Sequence, residues 1–344
     1  MKTADLDKFD FNLPEHLLAS SPAETRGKSR LMTVNIPEKS VKTGFFDEIT
    51  SFLGPNDVLV MNNTRVSKRR VYLRKGEKEF EAVFLEPSAG RKTWKCLIKN
   101  AKKLHENDSL VTIRGGFSFT FFRKNHDLFL SCAEPVSEDD FELMGDIPIP
   151  PYLKRRATPE DNIRYQTVYA EKKGSVAAPT AGLHFTEELL EKIRLSGCET
   201  VYISLTVGYG TFRPLEDEDF ASNRLHREEY HIPEQSADIL NRAKKDGKKI
   251  ISVGTTTLRA LESAYDHESG SFRPGSSHSE IFLKPGDRIN SVNGLVTNFH
   301  LPRSSLLLLV AAFAGEELVM RAYRQAIEDG FRFYSYGDAM FLQR

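Results

Sequence analysis

The stretch Lys249 to Ala264, KIISVGTTTLRALESA, reads as a strand, a glycine, a hydroxyl-rich turn and a helix carrying Arg259 one turn in. Around it, the spacing predicts a helix over 187–196, a strand over 199–206, a helix over about 234–246 ending at Gly247, a strand over 248–253 and a helix over 256–265. This alternation indicates an α/β layer structure. Ligands of open α/β sheets bind at the carboxyl ends of strands, where free N–H groups attract anions or carboxylates. On this segment alone, Thr255, Thr256 and Thr257 are more simply helix-capping residues. Residues 306–314 read as a buried helix, and 331–341 as a final strand carrying Tyr336, Gly337 and Asp338.

Upstream, Asp57 to Met61 (DVLVM) is a buried-strand pattern that opens into Asn62, Asn63, Thr64 and Arg65. From about Val71 to Val136 there are six short β-rich runs, VYLRK, FEAVFLE, TWKCLI, SLVTI, FSFTFF and LFLSC, split by turn residues. Such spacing fits a small antiparallel barrel or sandwich. Pro148, Pro150 and Pro151 mark a boundary, because proline ends regular structure and restricts its neighbour. The expected organisation is an α/β domain over 1–66 and 150–344, interrupted by a β-domain over 67–149.

The chain has 344 residues, 40% of them hydrophobic, enough for packed cores in two domains. Lys plus Arg and Asp plus Glu both number 48, so any nucleic-acid surface must be a local basic patch. Cys96, Cys132 and Cys198 are odd in number and far apart, which fits free thiols in a reducing compartment. The N-terminus has no apolar signal core, and the longest apolar run is far short of the ~20 residues a membrane span needs. A soluble cytoplasmic protein is expected.

Gly174 to Thr186, GSVAAPTAGLHFT, crowds small residues around one histidine just ahead of a helix start. Its backbone groups are expected to lie open to a ligand, with both glycines free to take positive φ and His184 at the rim. Thr186 followed by Glu187 and Glu188 is an N-cap with an acidic first turn. An ordinary surface turn with a half-buried histidine is the bland reading.

Two patterns are set aside. Gly27-Lys28-Ser29 resembles the end of a phosphate-binding loop, but Pro22 stands where the leading glycine belongs and no buried strand precedes it, so it is not a nucleoside triphosphate site. Val207 to Phe212, VGYGTF, lacks the helix and third glycine of a dinucleotide fingerprint. The nine histidines show no ligand spacing, and no metal is expected. There remain polar clusters where strands end or helices begin: Thr64-Arg65, Thr180 to His184, His226 to Tyr230, Thr255 to Arg259, Asn298 to His300 and Tyr336 to Asp338. Their convergence in one site is the working expectation.

These clusters resemble, in order and along nearly the whole chain, the S-adenosylmethionine:tRNA ribosyltransferase-isomerase family of queuosine synthesis. The likeness is carried by FDFNLPEHLLASSPAETRGKSRLM, NDVLVMNNTRV, YQTVYAEKKGSVAAPTAGLHFT, VGYGTFRPL, SVGTTTLRALESA, LVTNFHLPRSSLLLLVAAFAG and FRFYSYGDAM. Departures are modest: Ser67-Lys68-Arg69 stands where the family often has Ile-Pro-Ala, Tyr209 lies between two glycines, and Leu225 to Glu229 varies on a Met-His-x-Glu-aromatic pattern. The resemblance implies an α/β domain interrupted by a β-barrel. It also implies transfer and isomerisation of the ribosyl part of S-adenosylmethionine onto the aminomethyl-deazaguanine at the tRNA wobble position, giving epoxyqueuosine-tRNA with loss of adenine and methionine. S-adenosylmethionine is then a co-substrate, and the tRNAs are those with GUN anticodons.

That chemistry needs a base for a ribose 5'-hydrogen acidified by the sulfonium, an acid for the departing adenine and a neutral attacking amine. The resemblance nominates His184, His226, Glu228, His300 and Asp338 for these proton transfers, His184 first. Pro179, Thr180, Ala181 and Gly182, with Thr255, Thr256 and Asn298, are the expected cofactor contacts, and Arg259 a clamp on the methionine carboxylate. Phosphate contacts are expected from Arg65, Lys68, Arg69 and Arg70, with Lys154 and Arg155, aided by Arg74-Lys75, Arg156 and Lys172-Lys173. Tyr152, Tyr165 and Tyr169 are candidates for stacking on unpaired bases. A monomer is expected. A tRNA methyltransferase and a non-catalytic RNA-binding protein are the competing classes.

Overall fold

The computed structural model describes residues 2–208 and 215–344, so Tyr209, Gly210 and the rest of the block up to Pro214 lie outside the described residues. The chain divides into two compact units: Met1–Thr64, Thr167–Glu171 and Pro179–Arg344 in one, Arg65–Gln166 and Lys172–Ala178 in the other. The division falls inside the glycine-rich run, after Ala178.

The first unit is an α/β layer built on a nine-stranded sheet. Its strands lie in the order Gly275–Ile281, Arg224–Ile232, Glu199–Leu205, Asp57–Asn62, Lys249–Val253, Gly294–Asn298, Ala339–Gln343, Arg30–Asn35 and Ser40–Phe45. The four strands from Glu199–Leu205 to Gly294–Asn298 are mutually parallel, and Ala339–Gln343 runs antiparallel to the last of them. Buried parallel strands read as continuous apolar runs, as in Val58 to Met61, all at 0% exposure. Leu59, Met61, Ile251, Val253, Val296 and Phe341 form one core with Leu189, Leu190 and Ile193 of the helix Glu187–Leu195. That helix starts as its sequence predicts, with Thr186 Oγ1 accepting from Leu189 N at 3.1 Å. Helices Glu234–Lys245 and Thr255–Ala264 pack on the central strands.

Two expectations change. The cap of Thr255–Ala264 is Gly254, at φ 94°, so the threonines form the first turn instead of capping it. The final strand is Ala339–Gln343, and the segment before it folds back on itself. A Cβ on Gly337 would collide with the Arg332 carbonyl, while Gly337 N donates to Tyr334 O at 3.0 Å and Asp338 N to Arg332 O at 2.7 Å. The glycine is required for this close approach.

The second unit holds a closed six-stranded antiparallel barrel, one strand from each β-rich run. Its order is Arg70–Lys75, Lys78–Pro87, Thr93–Ile98, Asp127–Ser131, Ser118–Lys124 and Ser109–Thr112, closed by Leu73↔Thr112 and Arg74↔Val111. Alternate residues such as Trp94, Cys96 and Ile98 fill it, and Phe84 packs edge-on against Trp94, Phe119 and Phe141.

Candidate active site

Strand register places the polar clusters of the α/β unit at one end of its sheet. Asn62 is level with Ile203, Met61 with Val253, Val253 with Val296, and Asn298 with Ala339, which is level with Leu31. Asn298 therefore ends its strand, Gly254 follows its own, and Asp338 and Ser29 precede theirs, all at the same edge. Glu228 joins from the strand Arg224–Ile232, four interstrand steps from Asn298, or about 19 Å at ~4.8 Å per step.

His184 is buried in this end. Its ring stacks on Phe46 with centroids 4.9 Å apart, Nδ1 lies 2.7 Å from Ser29 Oγ, and Nε2 lies 3.2 Å from Asn298 Nδ2. Asn298 Nδ2 also donates to the Tyr334 carbonyl at 3.2 Å, which fixes the amide orientation because a carbonyl only accepts. Nε2 of His184 is therefore an acceptor, and its proton sits on Nδ1, facing Ser29. Burial, reinforced by Arg332 and Arg26, pushes the His184 pKa down to about 3, so the ring is neutral near pH 7.

Glu228 and Arg259 form a second, fully buried cluster. Arg259 Nη1 pairs with Glu228 Oε2, while Glu228 Oε1 accepts from Gly208 N at 3.2 Å and lies 3.2 Å from His226 Nε2. Burial raises the Glu228 carboxyl, but Arg259 and His226 outweigh it and hold the pKa below the usual range. Among the described residues, Nε and Nη2 of Arg259 have no hydrogen-bond partner. They form one edge of the guanidinium fork, the geometry that takes a carboxylate in two parallel bonds. His226 is half-buried.

The turn Thr180–His184 packs on the strand Gly294–Asn298, with Ala181 beside Gly254. Its backbone is less open than the sequence suggests: Pro179, Ala181 and Gly182 are buried, and Gly182 N donates to Pro179 O at 2.8 Å. Gly174 has φ 126°, but Gly182 is not among the positive-φ glycines. Gly182 is needed for another reason. A Cβ there would collide with the Tyr169 hydroxyl and lie 2.7 Å from Thr167 Cγ2. Tyr169 Oη, Thr167 Oγ1 and Asn298 Oδ1 are buried without a hydrogen-bond partner among the described residues, and burial, with Tyr202 adding, raises the Tyr169 pKa. Thr255 and Thr256 are buried in the first helical turn at the same edge.

Two of the nominated residues, Asp338 and His300, and the strand-end Asn62 make hydrogen bonds within the protein. Asp338 Oδ1 accepts from Arg30 N at 2.9 Å and Oδ2 from Arg332 N at 2.7 Å, so it staples two chain segments. His300 is buried, its Nε2 is 2.8 Å from Thr297 Oγ1, and burial lowers its pKa to about 3. Asn62 is consumed in bridging to Leu205, by Nδ2 to O and Oδ1 from N, both at 3.0 Å.

The barrel-unit candidates for RNA contact divide by burial. Arg69 is 3% exposed, pairs with Glu138 and lies between the Trp94 and Phe141 rings, 4.5 Å from each centroid; burial lowers its pKa to about 10. Arg70 is buried, donating to Ile149 O at 2.8 Å and paired with Glu81. Tyr165 is at 0% exposure, so its ring has no face for a base. These three are corrected to core residues. Lys68 pairs with Glu142 at 2.9 Å, and Arg155 grips Asp161 with two nitrogens at 2.5 and 3.0 Å. Arg65 and Lys154 are exposed.

Sequence reasoning passed over Ser29, Arg26, Thr167 and the hydroxyl of Tyr169. Their blocks were recognised, but nothing in a linear string says that residues 26–29 meet residue 184. Among the described residues no group of three or more His, Cys, Asp or Glu is placed to hold a metal, and no helix is long and apolar enough to cross a membrane. Cys96, Cys132 and Cys198 are unpaired thiols.

Fold and site together define an α/β protein with a polar site at the carboxyl ends of its parallel strands and a closed β-barrel inserted in its chain. The family described as queuosine biosynthesis protein matches residues 6–342, and the chain belongs to that family. It is 42% identical to the S-adenosylmethionine:tRNA ribosyltransferase-isomerase of Geotalea uraniireducens over 98% of this chain and 99% of that one. It is 39% identical to the protein of that name from Sulfurihydrogenibium, with the same coverage. The crystal structure of S-adenosylmethionine tRNA ribosyltransferase from Thermotoga maritima superposes with TM-score 0.55 at 30% identity, covering 97% of this chain and 99% of that one.

Proposed function

We propose that this chain is an S-adenosylmethionine:tRNA ribosyltransferase-isomerase. It moves the ribosyl group of S-adenosylmethionine onto the aminomethyl-deazaguanine of tRNA, rearranges it to the epoxycyclopentane, and releases adenine and methionine. The full-length identity to enzymes of that name carries the reading. The α/β unit supports it with buried polar atoms that have no hydrogen-bond partner among the described residues: Arg259 Nε and Nη2, Asn298 Oδ1, Tyr169 Oη and Thr167 Oγ1. Each such atom is costly unless something polar meets it.

In this reading the free edge of Arg259, held by Glu228, takes the methionine carboxylate. The 180–182 turn, with Thr255, Thr256 and Asn298, takes the nucleoside. His226 beside Glu228 is the half-exposed histidine of the set and carries the proton transfers, while neutral His184 orients the site through Nδ1–H to Ser29 and Nε2 to Asn298. Arg65 and Lys154 stay as phosphate contacts of the inserted unit, with Lys68 and Arg155 available only if they exchange their carboxylates. The enzyme acts as a monomer in the cytoplasm on tRNAs with GUN anticodons.

Incubation with precursor-bearing tRNA and S-adenosylmethionine tests the reaction. Adenine and methionine should appear in equal amounts with a heavier wobble base. Release of S-adenosylhomocysteine would mark a methyltransferase instead, and no turnover with tight tRNA binding a non-catalytic RNA-binding protein.

A further inference from the structure

A cavity of about 440 Å³ opens in the α/β unit beside Ser29, and Glu24, Thr25, Lys28, Arg30, Arg332 and Asp338 contribute to its wall. Its charge is organised by Asp338. That carboxylate holds the backbone N–H groups of Arg30 and Arg332, which sets both arginines at the cavity while pairing with neither guanidinium. Arg30 Nη1 donates to the Asp329 carbonyl at 2.6 Å, and its guanidinium lies over the Phe331 ring, 3.8 Å from the centroid. Arg332 Nη1 donates to the Ser21 carbonyl at 3.3 Å. Among the described residues their hydrogen-bond and ring contacts are carbonyls and Phe331, with no carboxylate in an ion pair with either guanidinium. Lys28 adds a third. Its ion pair with Asp47, at 2.6 Å, has side chains 63% and 42% exposed, the kind of surface pair that exchanges readily.

Lys28 and Ser29 belong to the Gly-Lys-Ser run that fails as a triphosphate loop. The failure concerns the loop and its strand, not the lysine. The turn closes through Lys28 N to Thr25 O at 3.3 Å, with Gly27 at φ 84°, and it brings Lys28 to the same wall as the two arginines.

We propose that this cavity binds an oxyanion, specifically a backbone phosphate of the tRNA substrate. The α/β unit then grips the RNA itself, next to Ser29 and His184. The inference rests on the function proposed above. Three cations stand against two carboxylates on this wall, Glu24 and Asp338, and each Asp338 oxygen already accepts from a backbone N–H, so the side-chain charges sum to one positive and suit a phosphate, whose several oxygens accept from guanidinium forks and an ammonium at once. The other oxyanion in the reaction, the methionine carboxylate, is matched by Arg259, on the helix that follows the strand Lys249–Val253 and in contact with Glu228 near the opposite flank of the sheet.

The test uses the full-length enzyme, precursor-bearing tRNA and S-adenosylmethionine, with Arg332→Gln, Lys28→Gln and Arg332→Lys, each first shown to melt like the parent. For each glutamine variant, the slope of log affinity for tRNA against log salt should flatten by about 0.7 to 0.9. Affinity at moderate salt should fall several-fold, KM for S-adenosylmethionine should stay put, and Arg332→Lys should restore the slope. Unchanged tRNA affinity and slope in both glutamine variants would overturn the proposal. A raised KM for S-adenosylmethionine with unchanged tRNA affinity would overturn it too, by making the oxyanion a carboxylate. A parent enzyme that neither binds the tRNA nor turns over defeats the functional reading itself, an outcome separate from a parent that works and variants that match it.

Discussion

The side-chain amide of Asn298 fixes the tautomer of His184: one nitrogen donates both to the Tyr334 carbonyl and to His184 Nε2, each at 3.2 Å, leaving the imidazole proton on Nδ1 opposite Ser29. Nitrogen-15 spectra of the ring should show a neutral Nδ1–H form from pH 8 down to at least pH 5. Asn298→Asp replaces the donor with an acceptor beside the Tyr334 carbonyl, so the ring should shift toward Nε2–H or imidazolium. A parent ring protonated on Nε2 would contradict the assignment.

The two histidines should separate in their effects. His226→Ala is expected to lower kcat by about 10² to 10⁴ with little change in melting, as for a lost proton carrier. His184→Ala leaves the Ser29 hydroxyl and the Asn298 amide short of a buried partner, and should destabilise by about 1 to 3 kcal/mol. Matching melting temperatures and kinetics for the two variants would erase the distinction.

Glu228 sits at 0% side-chain exposure against Arg259 at 2%. Glu228→Ala strands a buried cation and should cost about 3 to 5 kcal/mol, read from urea midpoints. Adding Arg259→Met should recover a good part of that stability while abolishing S-adenosylmethionine binding. Additive losses would mean that the two charges are not coupled.

Gly182→Ala forces a methyl group into the Tyr169 hydroxyl and should destabilise by about 1 to 3 kcal/mol. Tyr169→Phe removes the oxygen that is struck and an orphaned buried polar atom, so alone it should be neutral or stabilising to the free enzyme. In the double variant the glycine penalty should shrink, although Thr167 Cγ2 still crowds the site. The same Tyr169→Phe change should weaken the thermal shift produced by S-adenosylmethionine.

His184 and His300 each have a folded pKa of about 3 against an ordinary 6.5. Between those values the unfolded chain binds the extra proton, so the stability each residue contributes is whole above pH 6.5 and is lost as pH falls toward 3. The slope is ~1.4 kcal/mol per pH unit per histidine, or about 2 kcal/mol each between pH 6.5 and 5. Urea midpoints measured across that window should fall accordingly, and His300→Gln should flatten the dependence by about half.

Periodicity made the elements legible. The helix Glu187–Leu195 with its Thr186 cap, the strand Lys249–Val253 and all six barrel strands are readable because apolar spacing and turn chemistry are local. The segment before Ala339 was misread as strand because nothing in its aromatic run announces that Gly337 lets the backbone fold against Arg332. Arg69 was misread as a phosphate contact because a basic run looks alike in sequence whether solvent or Trp94 and Phe141 surround it.

What the sequence determined by itself was the α/β and barrel pattern and the set of blocks that places the chain in its family, since both depend on residue type and order. Only the tertiary structure decided that His184 is a neutral, sequestered ring, that Asp338 is a staple, and that Lys28, Arg30 and Arg332 share a cavity. Charge state, hydrogen-bond partner and exposure are set by groups that meet across hundreds of residues, and no local pattern carries that information.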